Sequence, residues 1–361
     1  MTEYDGSFSN ETRFDQSVAS VKARLSPRSG WDLVLLAGNS RDDGDEFKDG
    51  VFAGRFDTDR RTASLQSDWS FAPDQVLSLG VDYVDDRIDS TTPYDETARD
   101  NTGVFSQYKA RFGKHELLAS ARRDDNEQFG SHNTGNLGWK WFISERFALT
   151  AAWGNAFLAP NFNDLYYPGF SNPDLKPEQS ESYEIGVSGT ASAVRWSLTA
   201  FETRNDDLIA FDFATFLPQN ISEARIRGIE AEVRTAWHDW SLAFGYTGLD
   251  PRNRAPGANY DNILPRRARQ SGRLDIGYSF GAMQLGTIVT AQGSRYDDLA
   301  NTAQLPGYTV VDFIGEFSFG SGWSVQGRIA NAFDRDYETA RFYYQDGRTY
   351  SVTMRYQPGQ R

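Results

Sequence analysis

The sequence contains no cysteine and only three histidines. The first absence excludes a disulfide framework and thiolate metal sites. The second weakens any catalytic reading, because nucleophilic and acid–base chemistry usually calls on a histidine beside a nucleophile or carboxylate. His115, His132 and His238 are scattered, the first and last falling beside expected tight turns, and no catalytic residue is assigned. Basic residues are also short in supply: 37 Lys and Arg against 50 Asp and Glu give a net charge of −13. Nucleic acid is therefore a poor partner, since a phosphate-binding surface needs concentrated positive charge. No stretch approaches the roughly 18 consecutive apolar residues of a membrane-spanning helix. That leaves strand-built membrane proteins open, because a barrel strand needs only about 10 residues and turns every second side chain away from lipid. The opening MTEYDGSFSN lacks the charged segment and apolar core of a signal peptide.

What is present is strand and turn chemistry, with 14% aromatic residues and 32 glycines. Alternation dominates. Phe147, Leu149, Ala151 and Trp153 fall on one face of a segment whose other face carries Ala148, Thr150 and Ala152. Val194 to Ala200, Trp240 to Tyr246, Leu274 to Phe280 and Val311 to Phe319 repeat the period of two, which fits strands and not helices.

The connections fall into two classes that take turns along the chain. Short ones are expected near Ser26–Gly30, Ala72–Gln75, Gly113–Lys114, Ser144–Glu145, Thr190–Ala193, His238–Asp239, Gly281–Ala282 and Gly320–Gly322. Long polar ones are expected at Asn39–Asp59, Asp85–Asp100, Asp125–His132, Ala156–Gln179, Asn205–Glu223, Asp250–Arg267, Tyr296–Gly307 and Asn331–Gly347. The pattern predicts an all-β, antiparallel, up-and-down transmembrane β-barrel of about 17 strands, with every tight turn at one end. Trp240, Phe280, Phe319 and Trp323 stand beside short turns, where an interfacial aromatic girdle belongs.

The longest aromatic connection, Ala159 to Gly189, carries Tyr166, Tyr167 and Phe170 among Pro160, Pro168, Pro173 and Pro177. A loop so long and so restricted reads as ordered, either functional or packed on its own side chains. The acidic groups Asp42, Asp43, Asp45 and Glu46, and Asp124 with Asp125, read as solvated loop charges. A first strand near Phe14–Leu25 that starts at the long-loop end, and a last one at Tyr350–Tyr356 that finishes at the short-turn end, make the strand number odd. Single-chain bacterial barrels are even, so a preceding N-terminal portion is expected.

Three segments resemble the TonB-dependent outer-membrane receptors: Ala159-Pro-Asn through Leu175-Lys-Pro-Glu-Gln-Ser-Glu-Ser-Tyr-Glu-Ile-Gly, Arg225-Ile-Arg-Gly-Ile-Glu-Ala-Glu, and Asn331-Ala-Phe-Asp-Arg-Asp-Tyr. Within that family the chain is most similar to the cobalamin transporters, through Arg99-Asp-Asn-Thr-Gly-Val, Ala121 to Gly130, Leu264-Pro-Arg-Arg-Ala-Arg-Gln and Asp336-Tyr-Glu-Thr. The resemblance covers about Tyr4 to Tyr356. It implies a 22-stranded, plugged barrel of the bacterial outer membrane that imports cargo with energy relayed through TonB. Residues 1–361 would then be a partial receptor-barrel domain. Measured against such a 22-strand pattern, the plug, the energy-coupling box and about five strands would be lacking from this sequence. Gln357 to Arg361 also follow Tyr356, where the family ends on an aromatic. The isolated chain is accordingly not expected to carry out energised transport.

The resemblance also supplies candidate site residues. Tyr4, Arg266 and Tyr343 match positions that contact cobalamin, a cargo whose amide rim accepts from guanidinium and whose faces suit tyrosine. Strand-end anchoring with Arg267 is the competing role for Arg266. Asp5 and Glu11 match calcium-binding positions of the family, with ligands from an earlier loop lacking and Glu in place of Asp at 11; calcium needs several oxygens, so weak binding at most is expected. Two other functions stay open, a siderophore or haem receptor of the same family and a passive porin-like barrel.

Overall fold

A computed structural model describes residues 11–212 and 215–357. The first seven strands are β1 (Glu11–Arg28), β2 (Trp31–Lys48), β3 (Val51–Ala72), β4 (Gln75–Ser90), β5 (Ala98–Phe112), β6 (His115–Asn126) and β7 (Gly130–Ser144). After β8 (Phe147–Leu158) comes a single helical turn, α1 (Phe162–Tyr166), then β9 (Glu178–Ala191), β10 (Val194–Asp212), β11 (Leu217–Trp237) and β12 (Trp240–Asn253). The chain continues through β13 (Gln270–Phe280), β14 (Met283–Gln292), β15 (Arg295–Tyr296), β16 (Gln304–Leu305) and β17 (Tyr308–Gly320). It ends with β18 (Trp323–Ala330), β19 (Glu338–Ala340), β20 (Tyr343–Tyr344) and β21 (Thr349–Tyr356). Seventeen strands share one sheet, matching the number read from the sequence, while β15–β16 and β19–β20 are separate two-stranded ribbons.

The chain divides into two compact units. The first comprises Met1–Trp141, Ala151–Tyr183 and Arg204–Glu223; the second comprises Phe142–Thr150, Glu184–Thr203 and Ala224–Arg361. In the first unit, β1 to β7 pair antiparallel, each with its successor in sequence. Two-residue turns join them where the sequence places its short connections. Gly30 shows why glycine is needed there: its φ is 77°, and an added Cβ would stand 2.8 Å from the Ser70 carbonyl oxygen.

Register makes the first unit two-faced. Leu35 is opposite Leu65, Leu65 opposite Val81, and Val81 opposite Val104, a continuous apolar row. Leu35, Leu65, Val81 and Val104 are all exposed, as lipid-facing residues of a spanning sheet must be. The other face is polar: Gln66 and Ser78 both donate to Asp68, at 2.8 and 2.6 Å. At the short-turn end Trp31 and Trp69 meet edge to face at 6.5 Å. β1 is exposed along its whole length.

The second unit repeats the design. β11 to β14, β17, β18 and β21 pair in that order, all antiparallel. Phe244, Leu274, Val289 and Val311 stand opposite one another in turn on the apolar face. Trp240 packs on Tyr278 at 4.7 Å, and Trp323 lies between Phe319, at 6.5 Å, and Tyr356, at 4.6 Å, all beside the short turns. Phe280 is exposed at the same end. β21 is exposed throughout. The glycine of the Arg225–Glu232 motif has a packing reason, since a Cβ on Gly228 would strike the Phe201 ring.

Several expected loops are strands instead. Asn39–Asp59 is a hairpin closed by Asp49–Gly50, with β2 and β3 paired from Trp31–Trp69 to Lys48–Val51, so that one tight turn lies at the end expected to carry only long loops. Asp125–His132 contains only residues 127–129 between strands, capped by the Asn126 side-chain oxygen, which accepts from the amides of Gln128 and Phe129. Asn205–Glu223 is taken up by β10 and β11, and Asp85–Asp100 is irregular only over residues 91–97. The cause is cross-strand charge pairing in water beyond the apolar rows. Arg55 binds Asp45 at 2.9 Å, and Asp59 accepts from Asn39, Arg41 and Arg61 at 3.0, 3.3 and 3.1 Å. Asp42, Asp43, Asp45 and Glu46 are therefore ladder residues of β2 and not loop charges. Asp124 is corrected too. It is buried, accepting from Arg122 Nε and Nη2 and from Asn101, each at 2.8 Å, while Asp125 on the other face accepts from Ser131.

Candidate functional site

Several of the fully buried side chains, among them Leu165, Pro160 and Leu264, sit in the long connections. In the second unit, residues 254–269, 293–307 and 331–348 form one interlocked cluster. Leu264 and Pro251 are fully enclosed, and Leu305 and Ala268 nearly so. The Asn301 amide mimics a strand partner, donating to the Ile263 carbonyl and accepting from the Ile263 amide, both at 2.8 Å. Asp298 caps the β15–β16 ribbon by accepting from Thr302 and from the Ala303 amide. Burial pulls its acidity one way, but these hydrogen bonds prevail and hold the carboxyl below its ordinary range. Asn331, the first residue of the Asn331–Tyr337 motif, is buried and staples its own loop: its side chain donates to the Arg335 and Asp346 carbonyls and accepts from the Arg335 amide.

Arg266 and Tyr343 both belong to this cluster. Arg266 sits in the left-handed region with φ 58°, and its amide donates to the Tyr296 carbonyl at 2.6 Å. Its Nε and Nη2 reach Asp297 at 2.7 and 3.4 Å; Asp297 is buried, whereas the guanidinium is half exposed. Arg266 thus anchors its loop and presents a charged edge to solvent. Arg267 Nη1 donates to the Pro265 carbonyl at 3.2 Å. Tyr343 is 67% exposed, with Tyr344 and Phe342 also open to solvent. Tyr4 and Asp5 lie outside the described residues. Glu11 starts the exposed strand β1 and is bound by Arg13 at 2.8 Å. Among the described residues no group of three or more His, Asp or Glu side chains is placed to hold a metal ion. His115 stacks on Trp139 and Trp141 at 5.9 Å, and His132 on Phe157 at 4.1 Å.

Asp297, Arg295 and Asn301 are the working residues that the sequence did not single out. They fall in a run of polar residues, Ser294 to Thr302, whose composition is that of any solvated loop. Only the Asp297–Asp298 doublet beside Tyr296 offered a signal.

In the first unit the aromatic loop 159–177 packs on its own side chains. Phe162, Leu165 and Leu175 are buried and Pro160 is enclosed. Asn161 caps α1 by accepting from the Asp164 amide at 2.8 Å. Gln128 Nε2 donates to the Tyr166 hydroxyl, and Arg99 Nη1 donates to the Pro160 carbonyl at 2.9 Å. Beside α1 lies an open cavity of about 640 Å³ whose walls include Pro160, Tyr167, Phe170, Phe211 and Glu178.

Tyr94, in residues 91–97, ties this loop to its neighbour. Its hydroxyl donates to the Asn163 side-chain oxygen at 2.6 Å and its ring meets Tyr167 at 6.2 Å. Burial, reinforced by Tyr167 and Glu46, pushes its phenol up to about 12. The folded value exceeds the unfolded one of about 10. Its contribution is therefore complete below that unfolded value and is lost as pH rises through the folded one. Loop 159–177 is expected to gain protease sensitivity across this alkaline window in the wild type. Tyr94→Phe should remove the alkaline step; an unchanged step in Tyr94→Phe would assign it elsewhere.

The comparisons with known proteins agree with this architecture. The family model described as TonB dependent receptor-like, beta-barrel, matches residues 2–332. The vitamin B12 transporter BtuB of Photobacterium profundum is 32% identical over 98% of this chain and 60% of its own length. The protein of the same name from Vibrio vulnificus is 31% identical over 88% of this chain and 54% of its own. This chain therefore spans less than two thirds of the length of these relatives. The crystal structure of a ferric enterobactin receptor mutant from Pseudomonas aeruginosa superposes with a TM-score of 0.78 at 15% identity, covering 95% of this chain and 61% of the receptor. At that identity the likeness concerns fold alone. A family match across nine tenths of the sequence and two-faced strand ladders converge: the chain belongs to the TonB-dependent receptor β-barrel family of the bacterial outer membrane.

Proposed function

We propose that this chain is the barrel part of an importer for cobalamin-class corrinoids, and that the loop cluster of the second unit receives the cargo. The observation that carries the proposal is the 32% identity to a named vitamin B12 transporter over nearly the whole chain. The chemistry of the cluster fits such a cargo. A corrinoid is broad and apolar on its faces and ringed with amide acceptors. Tyr343, Tyr344 and Tyr260 offer exposed rings, and Arg266 offers a guanidinium edge. Nothing in this arrangement is a catalytic constellation; the role is capture and passage. In the intact transporter TonB would supply the energy for release.

Equilibrium titration of the full chain in outer-membrane vesicles with cyanocobalamin tests the reading. Saturable binding is expected, weakened about tenfold by Tyr343→Ala, in line with loss of one aromatic anchor. Arg266→Ala should weaken it further, because it also leaves Asp297 buried without its partner. Failure of the wild-type chain to bind cyanocobalamin saturably would overturn the proposal.

A further inference from the structure

We propose that Arg295 is a positioning residue for cargo capture, a buried latch that holds the Tyr343-bearing loop in place. The inference rests on the cobalamin reading given above.

Arg295 is only 3% exposed. Its Nη2 donates to the Glu338 carbonyl and its Nε to the Thr339 carbonyl at 3.4 Å, so one guanidinium grips two successive backbone oxygens of β19. Its charged centre lies 5.6 Å from the centroid of the Tyr308 ring, and Tyr308 packs against Tyr337 at 4.2 Å. Both contacts tie residues 293–307 to the start of the 331–348 loop. Among the described residues no carboxylate pairs with Arg295, and its Nη1 is buried without a hydrogen-bond partner.

A buried guanidinium without a carboxylate partner is an expensive way to hold a fold together, and an apolar side chain of similar length would serve stability as well or better. What the guanidinium holds gives it another use. The two following residues serve the other candidate contact: the Tyr296 carbonyl accepts from the Arg266 amide, and Asp297 binds the Arg266 side chain. Residues 295–297 thus form a bracket with Arg266 on one arm and the Tyr343 loop on the other. Loss of Arg295 frees the second arm and leaves the first intact.

The test uses the full chain in outer-membrane vesicles, comparing wild type with Arg295→Met and Arg295→Lys. Two readouts are taken: trypsin cleavage after Arg335, Arg341 or Arg348, and cyanocobalamin affinity. Arg295→Met should leave the melting temperature of the sheet unchanged while cleavage accelerates about tenfold and affinity falls about tenfold. Tyr343→Ala added to Arg295→Met should then cost less than it does alone, because coupled residues are not additive. Arg295→Lys, which reaches only one carbonyl, should recover part of both effects. Unchanged cleavage in Arg295→Met overturns the latch, as does an affinity loss fully additive with Tyr343→Ala. If the wild type binds no cyanocobalamin, the cobalamin reading fails by itself. The cleavage rates then decide the latch separately: acceleration sustains it and equality rejects it.

Discussion

Leu264→Ala is expected to loosen the loop cluster of the second unit while leaving the sheet assembled. Leu264 is completely enclosed, and its own amide donates to the Pro251 carbonyl at 3.0 Å. Its neighbours Ile263 and Arg266 are the residues that bond to Asn301 and to Tyr296, so the side chain fills the space where two loops meet. Truncation of an enclosed leucine costs about 2–5 kcal/mol, the spread depending on how far the surroundings collapse. Loops gain their order from few buried groups, so this loss falls on local opening and not on the strand ladder. Amide exchange should accelerate at residues 254–269 and 293–307 and stay slow in β12, β13 and β14. Exchange that accelerates equally in the strands would show that the loops and the sheet are one cooperative unit, contrary to this expectation.

The second large effect concerns the apolar row. Val81 stands opposite Leu65 on one side and Val104 on the other, four residue pairs from the Trp69–Leu77 pair near the short turns and four from the charged Arg61–Asp85 pair. That position is the middle of the lipid-facing band. Val81→Arg should destabilise the folded, membrane-inserted chain by about 2–4 kcal/mol, the range for arginine near the bilayer midplane. The same substitution at Asp82, whose side chain belongs to the polar face and binds Arg122 at 2.6 Å, should cost insertion far less. The comparison is made by measuring the fraction of heat-resistant, membrane-inserted protein for both variants. Equal insertion of Val81→Arg and wild type would mean that the row does not face lipid.

Much of this architecture was legible in the sequence because a spanning sheet writes its two environments at alternate positions. The strand count, the order of strands and the sites of the expected short turns follow from that alternation and from turn chemistry such as Pro73–Asp74 and Gly113–Lys114, whereas the tight turn at Asp49–Gly50 did not. The ends of the strands were not legible. Asn39 to Asp59 is polar on both faces, and polar composition does not separate a solvated loop from a hairpin whose charges pair across the ladder, as Arg55 and Asp45 do. Asp124 shows the same ambiguity one residue at a time, being buried only because Gly103 leaves room for Arg122.

The candidate site was legible only in part. Arg266 and Tyr343 came from resemblance, and the cluster places both in one interlocked set of loops, with Arg266 anchored to Asp297. The long-range pairs that make it a cluster, Arg266 with Asp297 and Arg295 with the carbonyls of β19, join residues 31 and 43 or 44 positions apart in the chain. No local pattern encodes such partners. The aromatic loop 159–177 was read as ordered, and its order has a plain source in the enclosed Leu165 and Pro160.

The central claim is that the outer loops take a corrinoid in preference to an iron chelate. Competition decides it most directly: vesicles carrying the full chain are loaded with radiolabelled cyanocobalamin and challenged with unlabelled cyanocobalamin or ferric enterobactin. The account predicts displacement by cyanocobalamin alone. Displacement by ferric enterobactin at lower concentration than by cyanocobalamin would contradict it.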